Sequence, residues 1–393
     1  MKRVFALILA LVMVLGLAAC APANNDSTTE ATGTADAKTS LSVCLASEPD
    51  TLDPALNSAV DGATMVAHLF SGLAKWAQAD NGQLVIVADC AEALVDPVVN
   101  ADGTVTYTYT LREGLKWSDG QDLTAKDFEF AWKRAANPDT AADYGYMFDV
   151  IKGYADGAID VTATDDRTLV VTLNNYVAYW NELLAFPTYM PVREDVVANE
   201  AWATDASTYV SNGAYTMTGW DHNSVITLTK NANYWNADAV TMNEIKFYLS
   251  DDANNMLTNF KNGTWQLIDD VPTNEIATLK KDYANEFVIA GQIGTYYVCW
   301  NINEKILPAD STLTGVEAEK AQQEIRNAIG LLFDRNYLVE EVAQGGQVPA
   351  SSFVAMGMTN PDGTQFYETA GDNADFNGYY NVAAEAYEAN WAS

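Results

Sequence analysis

Residues 111–128, LREGLKWSDGQDLTAKDF, crowd four acids (Glu113, Asp119, Asp122, Asp127), three bases (Arg112, Lys116, Lys126) and Trp117 into one short stretch. Carboxylates at that density could supply a general acid and a general base, with nearby cations pulling their pKa values apart. Local chemistry gives each charge a plainer task. Ser118-Asp119-Gly120-Gln121 has turn composition, its glycine free to take positive φ. Thr124 followed by Asp127 matches a capping box, in which hydroxyl and carboxylate satisfy first-turn amides reciprocally. Phe128, Ala131 and Trp132 then fall at helical spacing and face a core, and Asn137-Pro138 ends the helix. The stretch predicts a turn and a capped helix.

The remaining candidates for chemistry are few. The chain has no G-x-S-x-G, no G-x-x-x-x-G-K-[ST] and no G-x-G-x-x-G. His68 sits in the helix-like MVAHLFSGL and His222 beside Asp221 in a turn, and neither has the closely spaced ligands of a metal site. NADFNGYY near residue 375 suggests a calcium loop, but with Asn373 as first ligand Glu385 misses the last position by one place. No catalytic residue, metal or cofactor is therefore assigned. Cys44, Cys90 and Cys299 are odd in number and lack a C-x-x-C neighbour. They read as buried thiols, with one disulfide left open for an oxidising compartment.

The elements that must position these residues belong to a large protein. A chain of 393 residues, 49% hydrophobic, supports a large core and more than one domain. A formal charge of −32 excludes a broad basic face for nucleic acid or anionic lipid. Lys2 and Arg3 before VFALILALVMVLGLAA mark a secretory signal over residues 1–19 rather than a membrane span, and no later stretch is apolar enough to cross. Leu17-Ala18-Ala19-Cys20 resembles a bacterial lipoprotein box, which would make Cys20 an acylated N-terminus and place the chain outside the cytoplasm on a membrane anchor. Ordinary cleavage without acylation is the alternative. Residues 20–40 lack large apolar side chains and read as a flexible tether. Folded sequence begins with LSVCLA at Leu41. Strand alternation recurs in VTYTYT (105–110), TLVVTL (168–173) and VITLTK (225–230). Helical stretches cover 124–134 and 317–333, the second with Ile325, Ala328, Ile329 and Leu332 on one stripe. Asp-Gly pairs at 102–103, 119–120 and 362–363 mark turns. This order predicts mixed α/β (α+β) lobes and not a doubly wound sheet.

The charged stretch, extended to YTLREGLKWSDGQDLTAKDFEFAWKR, resembles the signature of the bacterial extracellular solute-binding proteins of oligopeptide and dipeptide ABC importers, solute-binding family 5. SEPDTLDPAL (47–56), HLFSGLA (68–74), SNGAYTMTGW (211–220), ITLTKNANYWNA (226–237), GTYYVCWNIN (294–303), EIRNAIGLLFDRNYLVEEV (324–342) and GGQVPASSF (345–353) follow in the family's order. The resemblance implies a two-lobed, periplasmic-binding-protein-like fold that closes on its ligand by a hinge. The first lobe would cover 41–290, with an inserted subdomain over 61–187, and a partial second lobe 291–393. It implies an oligopeptide ligand, ABC importer permease subunits as partners, a monomer, and no bond broken. An oligosaccharide, a metal chelate or haem in the same fold, a surface sensor lipoprotein without transport, and a secreted hydrolase are the competing readings. The implied ligand contacts are the backbone of Ser58, Ala59 and Val60, which would pair with an extended peptide as an added strand. Tyr144 would line the cleft, and Asp269 and Asp270 would stand at the crossing between lobes. Tyr297 would lie in a strand entering the second lobe. Family members continue beyond the AAEAYEANWAS at which this sequence stops, so the chain is expected to be a C-terminally truncated fragment.

Overall fold

In a computed structural model, residues 39–330, 332–350, 353–360 and 362–366 are described. The signal segment, Cys20, most of the tether and the sequence around residue 375 lie outside them.

The apolar run after the tether forms β1 (Ser40–Ala46), which becomes an interior strand of a five-stranded sheet. From it the chain passes a Leu-Asp-Pro turn into helix α1 (Val60–Leu69). A hairpin of β2 (Ala74–Gln78) and β3 (Leu84–Ala88) follows. Next come β4 (Val98–Val99), β5 (Val105–Thr110), helix α2 (Ala125–Ala136), β6 (Val161–Ala163) and β7 (Thr168–Leu173). The four strands make an antiparallel sheet in the order β4-β5-β7-β6, and α2 packs on β6 and β7. The chain then returns through β8 (Tyr215–Asp221), β9 (Val225–Lys230) and β10 (Glu244–Leu249), helix α3 (Ala253–Lys261), β11 (Leu267–Ile268) and helix α4 (Ile276–Asp282). The five-stranded sheet reads β11-β1-β10-β9-β8. β1 runs parallel to both β10 and β11, while β8, β9 and β10 form an antiparallel meander. Helix α5 (Gly315–Gly330) stands beyond.

Alternation decides which faces are buried. Val105, Tyr107 and Tyr109 of β5 point inward and the intervening threonines outward, and Ile226 and Leu228 do the same on β9. One continuous core joins both larger sheets. Its aromatic centre is Trp132, Phe148, Trp180 and Tyr189, with Trp132 Nε1 donating to the Tyr189 carbonyl at 2.8 Å and Trp180 Nε1 to the Tyr109 hydroxyl at 2.9 Å. The charged stretch of the sequence is structural, as its residues predict. Gly120 takes φ +87° in the turn, and the Asp127 carboxylate accepts from the Thr124 N–H at 2.7 Å. Trp117, Phe128 and Trp132 are fully buried.

Three expectations are corrected by the structure. Residues 294–303 form no strand, so Tyr297 lies in irregular chain; an isolated extended segment leaves its N–H and C=O groups without a ladder, and no described segment pairs with it. Cys44 and Cys90 are buried, but Cys299 lies in that same uncovered segment and is exposed. The stripe predicted over 317–333 is covered only in part: Ile325 and Ile329 are half-buried, Ala328 and Leu332 are exposed, and the buried residue of α5 is Gln322, whose Oε1 accepts from the Ile306 N–H at 3.2 Å. No helix among the described residues is long and apolar enough to cross a membrane.

Candidate ligand-binding site

Parallel pairing of β1 with β10 and β11 points the carboxyl ends of three strands the same way, the edge at which α/β sheets place ligands. Two segments follow those strands directly, and a further one is tied to the first of them by a hydrogen bond. The first is Ser47, directly after β1, whose hydroxyl donates to the Asp61 Oδ2 at 2.5 Å. The second is the run Ser58–Val60 leading into α1. The third is Asp269-Asp270, directly after β11.

Ser58, Ala59 and Val60 are exposed, Val60 at 79%. Ala59 is extended (φ −105°, ψ 152°) and Val60 opens the helix. The Ala59 carbonyl is taken by the Ala63 N–H at 3.0 Å and by Asn57 Nδ2 at 3.1 Å. Among the described residues no protein group takes the backbone N–H or C=O of Ser58, or the N–H of Ala59. Polar backbone left open on a strand-like approach is the surface that an extended chain can join.

Asp269 carries the electrostatic mark of the site. Burial pushes its carboxyl up, and the like charges of Asp270 and Asp61 push it further. Asp61, which adjoins the Ser58–Val60 run, thus acts electrostatically on Asp269. The Tyr144 ring packs edge-on against Phe186, with centroids 5.1 Å apart. Tyr297 packs on Phe353 at 5.1 Å. No hydrogen bond, ion pair or ring contact among the described residues joins either tyrosine to the acidic group. Sequence reasoning missed Ser47 and Asp61. An acid in a helix's first turn is so common that Asp61 gave no signal of its own. Among the described residues no cluster of three or more His, Cys, Asp or Glu side chains forms a metal site.

The lip of the site is held rigid from behind. In the Leu-Asp-Pro turn the Asp53 carboxylate, 2% exposed, receives Arg134 Nη1 at 3.0 Å and Nη2 at 2.5 Å. Tyr209 donates its hydroxyl to the Leu52 carbonyl at 2.7 Å. Gly62 lets α1 press on this turn: a Cβ there would lie 2.0 Å from Asn57 Oδ1 and 2.8 Å from the Thr51 carbonyl oxygen. Gly62→Ala is therefore expected to displace Asn57 from the Ala59 carbonyl and to weaken ligand binding about tenfold or more while α1 persists, measured by titration calorimetry beside far-UV circular dichroism. Binding unchanged from the parent would refute that role for Gly62.

The motif blocks interlock through buried polar side chains. Asn212 of SNGAY pairs with the Ser71 backbone of HLFSGLA, accepting its N–H at 3.1 Å and donating to its carbonyl at 2.8 Å. Asn231 of KNANYW donates to the Gly213 carbonyl at 2.9 Å. Trp235 Nε1 and Lys75 Nζ both reach Asp89 Oδ1, at 2.9 and 3.1 Å, and the Arg112 guanidinium lies 4.1 Å from the Trp235 ring centre. These polar side chains are thus spent on holding loops together.

Comparison with known proteins agrees with this frame. The model of the bacterial extracellular solute-binding proteins, family 5 middle region, matches residues 86–388. The oligopeptide-binding protein OppA of Bacillus subtilis is 34% identical over 366 residues, 90% of this chain and 63% of that protein. The dipeptide-binding protein DppE of Bacillus subtilis is 31% identical, over 68% of this chain and 48% of its own length. A probable deoxycholate-binding periplasmic protein, YgiS of Escherichia coli, is 36% identical over 53% of this chain and 39% of its own. Among solved structures, Listeria monocytogenes OppA bound to peptide superposes with a TM-score of 0.72 at 27% identity, covering 85% of this chain and 65% of that one. OppA of Burkholderia pseudomallei gives 0.71 at 26%, covering 87% and 65%. This chain thus spans less than two thirds of the length of these relatives. The fold is their mixed α/β, two-lobed, periplasmic-binding-protein-like fold. With a match across most of its length, and a structure in which the signature blocks brace one another, the chain belongs to family 5 of the bacterial extracellular solute-binding proteins.

Proposed function

We propose that this chain is the substrate-binding component of an ABC importer, that it takes oligopeptides by their main chain, and that it hands them to the permease without chemistry on the ligand. The observation that carries the reading is the open backbone of Ser58 and Ala59 beside Asp61, Asp269 and Asp270, at the carboxyl ends of parallel strands. The backbone supports pairing with any extended peptide. The acids favour a cationic end or side chain on that peptide. We assign residues 41–290 to the first lobe, with a subdomain inserted over 61–187, and 291–393 to part of the second; Tyr144 and Tyr297 would approach the ligand from these flanks on closure. A monomer acylated at Cys20 outside the cytoplasm completes the proposal.

Native mass spectrometry of protein purified without denaturation tests it. Retained peptides of mixed sequence are the expected result. A single bile acid, sugar or chelate in their place would overturn it. Methylating the peptide amide that donates to the Ser58 carbonyl is expected to weaken binding about fivefold, the weight of one main-chain hydrogen bond.

A further inference from the structure

His222, at the turn of the β8–β9 hairpin, is half-exposed and lies against the Trp220 ring, with centroids 4.5 Å apart. Its Nδ1 is 2.7 Å from Glu48 Oε1, and its Nε2 is 3.2 Å from the Thr204 carbonyl oxygen. Both partners are acceptors, with no proton to give. A neutral imidazole has one N–H, so it satisfies one of them and turns a lone pair on the other. The imidazolium satisfies both. The second oxygen of Glu48 accepts the Asn223 N–H at 2.8 Å, so the turn grips that carboxylate twice.

The surroundings favour the charged ring. Glu48 faces it from the segment after β1. Asp205 faces it from the loop that carries Thr204, its carboxylate engaged by the Ser207 N–H and hydroxyl at 2.7 Å each. Asp221 precedes it on its own hairpin. Among the described residues no lysine or arginine pairs with Glu48. The hydrogen bond to Glu48, and then the charges of Glu48 and Asp205, hold the His222 pKa above the ordinary histidine value.

We propose that His222 is a protonation-dependent latch. As the imidazolium it ties the β8–β9 turn to both Glu48 and the Thr204 loop; on losing a proton it keeps only one tie. The segment it holds leads from β1 towards the site's lip. Glu48 directly follows Ser47, which holds Asp61 at the start of α1. The sign follows from the raised folded-state pKa. The latch's contribution is complete below the unfolded-chain value of about 6.5 and is lost as pH rises through the folded value. A consequence for ligand affinity rests on the peptide-binding reading; the latch itself does not.

With two histidines in the chain, proton NMR resolves both titrations, and His222→Asn assigns them. The expected result is a His222 pKa above about 6.5 that falls towards that value in Glu48→Gln. A value at or below it in the parent protein would overturn the latch. Hydrogen exchange over residues 47–61, corrected for intrinsic base catalysis, should lose about fivefold protection as pH crosses the His222 titration, and should show no such step in His222→Asn. Protection without that step in the parent protein would equally overturn it. If the latch stands by both measures, peptide affinity should fall across the same pH interval. A chain that titrates and exchanges as described, yet binds no peptide at any pH, would refute the transport reading and leave the latch in place.

Discussion

Asp53→Ala is expected to lower the unfolding free energy by about 3–5 kcal/mol, because it leaves a mostly buried guanidinium without its counter-ion. Arg134 sits in the last turn of α2, its side chain 19% exposed, and both of its terminal nitrogens end on the Asp53 carboxylate. The same carboxylate accepts the Ala55 N–H at 3.0 Å, so the substitution also loosens the turn that presents Ser58–Val60. The pair joins two motif blocks 81 positions apart, and its loss should uncouple the antiparallel sheet's helix from the site. Urea unfolding measures it, as a lower midpoint at unchanged slope. Arg134→Met should destabilise comparably, and the double variant should cost clearly less than the sum of the two. A single-variant loss below about 1 kcal/mol would put this pair with ordinary surface ion pairs and refute the argument.

Gly213→Ala should be of similar severity, about 3 kcal/mol or more. A Cβ at this position would lie 2.5 Å from the Leu69 carbonyl carbon and 2.6 Å from the Phe70 nitrogen. Both are main-chain atoms at the end of α1, and neither can swing aside as a side chain would. The approach is fixed by the Gly213 N–H donating to the Leu69 carbonyl at 2.7 Å, and only a residue without Cβ permits it. Gly294→Ala, where a Cβ meets nothing within 4 Å, is the matched control and should be neutral. Equal midpoints for the two variants would show that the α1 end yields easily.

Local code was the legible part of this chain. VTYTYT, TLVVTL and VITLTK become strands over the residues their alternation indicates, and Thr124–Asp127 caps α2, because period and capping are decided within a few residues. The site is different in kind. It exists because β1 accepts β11 as a parallel neighbour, a pairing that brings Ser42 and Gln266 together across 224 positions. No local pattern encodes that register. Ser58–Val60 and Asp269-Asp270 could be named from resemblance, but their electrostatic link through Asp61 could not. Tyr297 shows the converse limit: its segment has strand composition, yet composition makes no strand where no described neighbour supplies a ladder. Cys299 shares the exposure of that segment for the same reason.

The central place of β1 also sets an order of events. The ladder partner of this strand on β10 lies 204 positions later in the chain, and its partner on β11 later still. Until both ends of that long loop come together, β1 has no sheet to join. The antiparallel sheet and α2 lie wholly within the interval and can form first. Closing the five-stranded sheet is then a long-range step, slow by contact order, and the apolar edge of β1 is open to a holdase or to another unfolded chain until β10 arrives.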